Sequence, residues 1–112
     1  MSKRPVRLVH STSLDPAFIT LTRQLDAELR DRYGEDQAAY AVHNKFVTDT
    51  ATIAYLDNAP AGCGCFRRFD DKTIELKRMF VAPELRGLGI GRAIVRDLEI
   101  WALELVFTRA IL

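Results

Sequence analysis

Residues 73–105 read TIELKRMFVAPELRGLGIGRAIVRDLEIWALEL, and three pieces of that stretch decide the fold. The first nine residues, 73–81, read as a strand. The last part carries Ile90, Ile94, Leu98, Trp101 and Leu105 at spacings of four, four, three and four, the apolar stripe of an amphipathic helix. Between them Gly87, Gly89 and Gly91 stand at alternate positions, with Arg86 and Arg92 at the two ends. The start of a helix exposes N–H groups without intrahelical partners and about half a positive charge. It is therefore a natural anion site. Glycine removes the side chains that would keep an anion off those N–H groups, and arginine adds charge-assisted hydrogen bonds to phosphate oxygens. A plain tight turn uses glycine too, but it does not call for three alternating glycines between arginines.

Two common phosphate-binding patterns are absent. GxxxxGK[ST] does not occur. The dinucleotide fingerprint fails because Arg92, not glycine, stands three places after Gly89.

Working outward, PVRLVH (5–10) reads as a first strand, and Ser13 or Asp15 caps a helix that opens at Pro16. Phe18, Leu21, Leu25 and Leu29 carry that helix to about Tyr33, and Gly34 closes it. EDQAAYAVHNKF (35–46) reads as a second, shorter helix. TATIAYL (50–56), AGCGCFRRF (61–69) and TIELKRMFV (73–81) form an antiparallel meander joined by DNAP and DDK. FTRAIL (107–112) starts another strand.

The 112 residues suit one domain, taken as residues 1–112. Sixteen basic residues against fifteen acidic ones leave a formal charge of +1, which gives no bulk attraction to nucleic acid. No apolar run approaches the ~20 residues of a membrane span, and no apolar segment of a secretory leader follows the N-terminus. Cys63 and Cys65, two apart on a strand, lie roughly 6.6 Å from one another and are read as small buried side chains rather than a disulfide. The expected setting is the reducing cytoplasm. Beyond the cysteines only His10 and His43 remain as soft ligands, so no metal site is expected.

RGLGIG (86–91) resembles the R/Q-x-x-G-x-G/A acyl-CoA motif of the GNAT N-acetyltransferases. The wider stretch 76–105, with Val81 and Pro83 leading into the turn, is similar to that family's strand–turn–helix core, most specifically over residues 75–93. The resemblance implies an α/β fold, mainly an antiparallel sheet with flanking helices in the order β-α-α-β-β-β-α-β, and transfer of an acetyl group from acetyl-CoA to an amine. It implies that Arg86, Gly87, Leu88, Gly89, Ile90, Gly91 and Arg92 hold the coenzyme A pyrophosphate. Met79, Phe80 and Val81 would bond the pantetheine arm, and the Met79 N–H would serve as an oxyanion donor. Glu75, eleven residues before the motif, becomes the candidate general base, with a pKa raised by a partly dry cleft. The alternative is a solvated strand glutamate paired with Lys77 or Arg67. Tyr40 and Asn44, with Lys45, are candidates for substrate contact; an ordinary exposed helix face is the other reading.

The chain departs from the family after FTRAIL, where a further helix and two strands usually follow, and Val106 stands where the family often has glycine. The exposed sheet edge this leaves points either to a fragment or to two chains that complete each other, and a homodimer with residues 107–112 at or near the interface is expected. A non-catalytic CoA-binding module that has lost the acceptor half is the competing function. Nothing in the sequence selects the amine.

Overall fold

The computed structural model describes residues 5–34 and 47–112. Five strands form one sheet in the order β1-β2-β3-β4-β5. They are β1 (Val6–Ser11), β2 (Ala51–Leu56), β3 (Ala59–Arg68), β4 (Thr73–Val81) and β5 (Arg109–Ile111). The first four pair antiparallel, and β5 runs parallel to β4 through Thr73–Arg109, Ile74–Ala110 and Glu75–Ile111. Two helices are described, α1 (Pro16–Tyr33) and α2 (Ile90–Glu104), which covers the crossover from β4 to β5. The second helix expected over 35–46 lies outside the described residues, as do Tyr40 and Asn44.

α1 forms where its local signals put it. Asp15 caps it by accepting from the Ala17 N–H, Pro16 opens it, and the Gly34 N–H donates to the Arg30 carbonyl with φ at 85°. The meander's first turn is tighter than expected. Asp57 and Asn58 both take positive φ, 51° and 66°, so two residues suffice and β3 starts at Ala59 rather than 61.

The sheet is covered on both faces. On one, Phe18 and Leu21 of α1 pack on Ala51, Ile53, Cys63, Cys65 and Phe80. On the other, Ile90, Ile94, Leu98 and Ala102 of α2 pack on Ala54, Leu56, Ala61, Phe66, Ile74 and Leu76. The helix stripe is thus shorter than expected. Leu105 is exposed, and Trp101 is only half-buried, stacking on His10 at 3.8 Å and meeting Phe66 edge-on. His10 Nε2 and the Thr52 hydroxyl both bond Asp97 Oδ2 at 2.8 Å, tying β1 and β2 to α2.

β4 is not a regular strand. Cys63 pairs with Phe80 but Cys65 pairs with Lys77, so Arg78 and Met79 together face Gly64, and Arg78 takes φ of 57°. A Cβ on Gly64 would overlap the Met79 sulfur, and one on Gly62 would lie 2.8 Å from the Phe80 carbonyl. The glycines of AGCGC therefore make room for the bulge and for α2. Cys63 and Cys65 are buried free thiols, as expected, donating to the Arg78 and Lys77 carbonyls, and burial pushes both up to about 12.

Candidate functional site

After β4 the chain makes one 3-10 turn, Pro83–Leu85, and enters α2 through Gly87 and Gly89, whose φ values are 86° and 84°. Both lie in the left-handed region that glycine enters without strain. A Cβ at either would meet nothing within 4 Å, so the surface above them is open. At Gly91 a Cβ would sit 3.6 Å from Val81 Cγ2, ordinary contact, so this third position has room for alanine. Gly89 caps α2 without a side-chain hydrogen bond, and the first turn holds no acid. The N–H groups at the start of α2 consequently have no side chain of their own segment closing them.

These amides border a cleft of about 740 Å³. Met79, Phe80, Val81, Arg86, Gly87, Gly89, Ile90, Gly91 and Arg92 all line it, so the bulged end of β4 and the glycine turn form one site. Leu88 does not; its side chain is exposed, which leaves only its backbone for a ligand. The opposite wall comes from α1 through Leu25, Glu28, Leu29 and Arg32. Sequence reasoning missed this wall. Leu25 and Leu29 were legible as an apolar stripe, but periodicity marks a buried face without saying what it is buried against.

Arg86 is already engaged. Its Nη2 donates to Glu28 Oε2 at 2.7 Å, its Nε donates to the Val81 carbonyl at 2.9 Å, and the guanidinium lies 5.5 Å from the Phe80 ring centre. Glu28 also pairs with Arg32 at 3.4 Å. Among the described residues that line the cleft Glu28 is the one acid, set against Arg32, Arg86 and Arg92. The cleft therefore favours an anion, and an internal carboxylate holds one of its cations.

Glu75 stands apart from the cleft. Its Oε1 accepts from Arg67 Nε at 2.7 Å and its Oε2 lies 3.4 Å from Lys77 Nζ. The hydrogen bond from Arg67, with the charge of Lys77 beside it, holds its carboxyl below the usual range. The expected upward shift is thus reversed, because two cations outweigh the desolvation, and the ion-paired reading of Glu75 describes its surroundings.

Among the described residues no group of three His, Cys, Asp or Glu side chains comes together, and no helix is long and apolar enough to cross a membrane.

Known structures share this frame. N-acetylglutamate synthase from Neisseria gonorrhoeae, solved with coenzyme A and N-acetyl-glutamate, superimposes over 97% of this chain and 25% of its own, with a TM-score of 0.68 and 16% identity. Rv2747 from Mycobacterium tuberculosis, solved with CoA, is 21% identical over 93% of this chain and 61% of its own, with a TM-score of 0.60. The aminoglycoside N-acetyltransferase AAC(6')-Iy, also solved with CoA, is 14% identical over 99% of this chain and 79% of its own, with a TM-score of 0.63. The chain thus spans a quarter of the Neisseria enzyme. A search of curated proteins found no match. The family model described as Acetyltransferase (GNAT) family matches residues 17–112, and the chain belongs to that family.

Proposed function

We propose that the chain is an N-acetyltransferase that moves the acetyl group of acetyl-CoA directly to an amine. One observation carries the reading: uncapped helix N–H groups open, through two glycines at positive φ, into a cleft with three arginines. That donor set fits a diphosphate. In this reading the amides of residues 88–92, with Arg86 and Arg92, hold the pyrophosphate. The backbone of Met79, Phe80 and Val81 takes the pantetheine arm as an added strand. When bound, acetyl-CoA supplies an acyl thioester open to attack by a neutral amine. The Met79 N–H, at the bulge, would donate to the developing oxyanion. Glu75 would accept the ammonium proton, as a base ionised at neutral pH but weak. Tyr40 and Asn44 keep their proposed place beside the amine.

The test is calorimetry with CoA, dephospho-CoA and pantetheine. Affinity should survive in dephospho-CoA and collapse in pantetheine, which lacks the diphosphate. Equal binding of pantetheine would remove the cradle from the argument.

A second reading, a CoA-binding module without turnover, is favoured by the ion-paired state of Glu75. Release of free thiol with a panel of amines separates the two.

We further propose a homodimer through β5, whose three residues are exposed beside exposed Leu103, Val106 and Leu112. Sedimentation as a compact monomer at micromolar concentration would refute it. The free thiols of Cys63 and Cys65 support a reducing, cytoplasmic setting.

A further inference from the structure

A second recess lies along α1 on the other side of the bulge. It holds about 180 Å³ and is bordered by Ser13, Arg23, Arg78 and an apolar floor of Phe18, Ile19 and Cys65. Arg78 is there because of the bulge. With φ at 57°, it leaves the strand's alternation and turns its side chain onto α1. Nη2 donates to the Thr22 carbonyl at 3.2 Å and to Asp26 Oδ1 at 2.9 Å. Those are its only side-chain hydrogen bonds among the described residues, so Nε and Nη1 have no partner there, and the side chain is only 12% exposed. Arg23 borders the same space and pairs with no acid among the described residues. Ser13 Oγ accepts from the Thr48 N–H at 2.9 Å, which leaves its own O–H to donate.

Among the described residues the recess gathers two guanidinium groups and the hydroxyls of Ser13 and Thr22, the latter already donating to the Phe18 and Ile19 carbonyls, and no carboxylate lines it. Asp26 offsets one of the two charges from the side. A nearly buried arginine with unused donors, over an apolar floor, matches a small carboxylate ligand. Its place matters as much as its chemistry. Arg78 borders the recess and Met79, the next residue, borders the larger cleft. Their Cα atoms are about 3.8 Å apart, as across any trans peptide. The recess and the cleft thus lie against consecutive residues of one bulge, and an acceptor held by its carboxylate at Arg78 would sit beside the cleft.

We propose that this recess is the acceptor's carboxylate site, so that the amine is that of an amino acid or a similarly short amino carboxylic acid. The inference rests on the acyl-transfer reading of the neighbouring cleft. Sites built to hydrogen-bond a polar group strongly reject analogues that lack it.

The experiment compares matched amines with acetyl-CoA: α-amino acids, their amides and their decarboxylated counterparts. The carboxylates should be favoured in kcat/KM by about tenfold to a hundredfold, as expected for a charged hydrogen bond. Arg23→Gln should lower kcat/KM for the carboxylates alone and leave CoA affinity unchanged. Arg78→Lys, which keeps the charge against Asp26, should do the same. Equal rates for acids, amides and decarboxylated amines would overturn the inference while leaving acyl transfer standing. If CoA binds but no amine turns over, the Arg78 Nε–H signal in a ¹⁵N spectrum decides. A shift on adding glutamate or glycine, absent with ethylamine, supports the site, and no shift overturns it. Absence of CoA binding is the separate failure that would sink the transferase reading.

Discussion

Val106 ends α2 in a conformation made for glycine, and replacing it should stabilise the protein. Leu105 is the C-cap, and Val106 follows with φ at 65°. Its N–H donates to the Leu103 carbonyl at 3.0 Å, and the Phe107 N–H donates to the Ala102 carbonyl at 2.9 Å. That pair of bonds is the Schellman closure, whose left-handed residue is usually glycine. A side chain there costs roughly 1–2 kcal/mol, and a β-branched one belongs at the upper end. Val106 is 80% exposed, so its removal forfeits almost no buried surface. Glycine adds back about 0.5–1 kcal/mol through the freedom of the unfolded chain. The net expectation for Val106→Gly is a gain of about 0.5–1 kcal/mol, or roughly 2–5 °C in Tm for a domain of this size. Urea denaturation at fixed protein concentration measures it, with Leu105→Gly as the control. That variant relieves no strain, since Leu105 has φ of −94°, and it should destabilise. A Val106→Gly protein no more stable than the parent would refute the strain argument.

Gly89→Val should weaken CoA binding at least tenfold while the chain stays folded, because the site is open in space but φ is 84°; the strain of roughly 1–2 kcal/mol lowers Tm without unfolding the protein. Calorimetry and circular dichroism read the two effects, and unchanged affinity would count against the cradle. Glu28→Gln should tighten CoA binding about 1.4- to 5-fold, the range of a partly exposed ion pair worth roughly 0.2–1 kcal/mol, because it frees Arg86 and removes the cleft's acid. Weaker binding would instead make Glu28 a residue that positions Arg86. Glu75 has its carboxyl pKa lowered, so its ion pairs support the fold above the normal carboxylate range and are lost as pH falls through the lowered value. Glu75→Gln should therefore flatten the acid limb of the stability curve. It should leave no missing inflection in the rate profile between about pH 6 and 9, where the carboxylate is already ionised. An inflection lost in that range would show that substrate binding raises its pKa.

Local chemistry made much of this molecule legible from its residues alone. Pro16 with Asp15, Gly34, the DN turn and the β-branched runs set the elements within a residue or two, since each acts over only a few positions. The glycines and arginines of 86–92 made the open start of α2 legible for the same reason: its N–H groups are consecutive backbone amides. What periodicity could not convey was which surfaces meet. The cleft's second wall on α1, the Glu28–Arg86 contact and the Arg67–Glu75–Lys77 cluster all depend on how strands and helices are laid against one another. The bulge at Arg78 is the clearest case. TIELKRMFV reads as an unbroken strand, and only pairing with β3, where Gly64 faces two residues instead of one, forces a positive φ and swings an arginine onto α1. Short-range signals ride on the chain itself, whereas a ladder's register and a side chain's neighbours are properties of segments far apart in sequence.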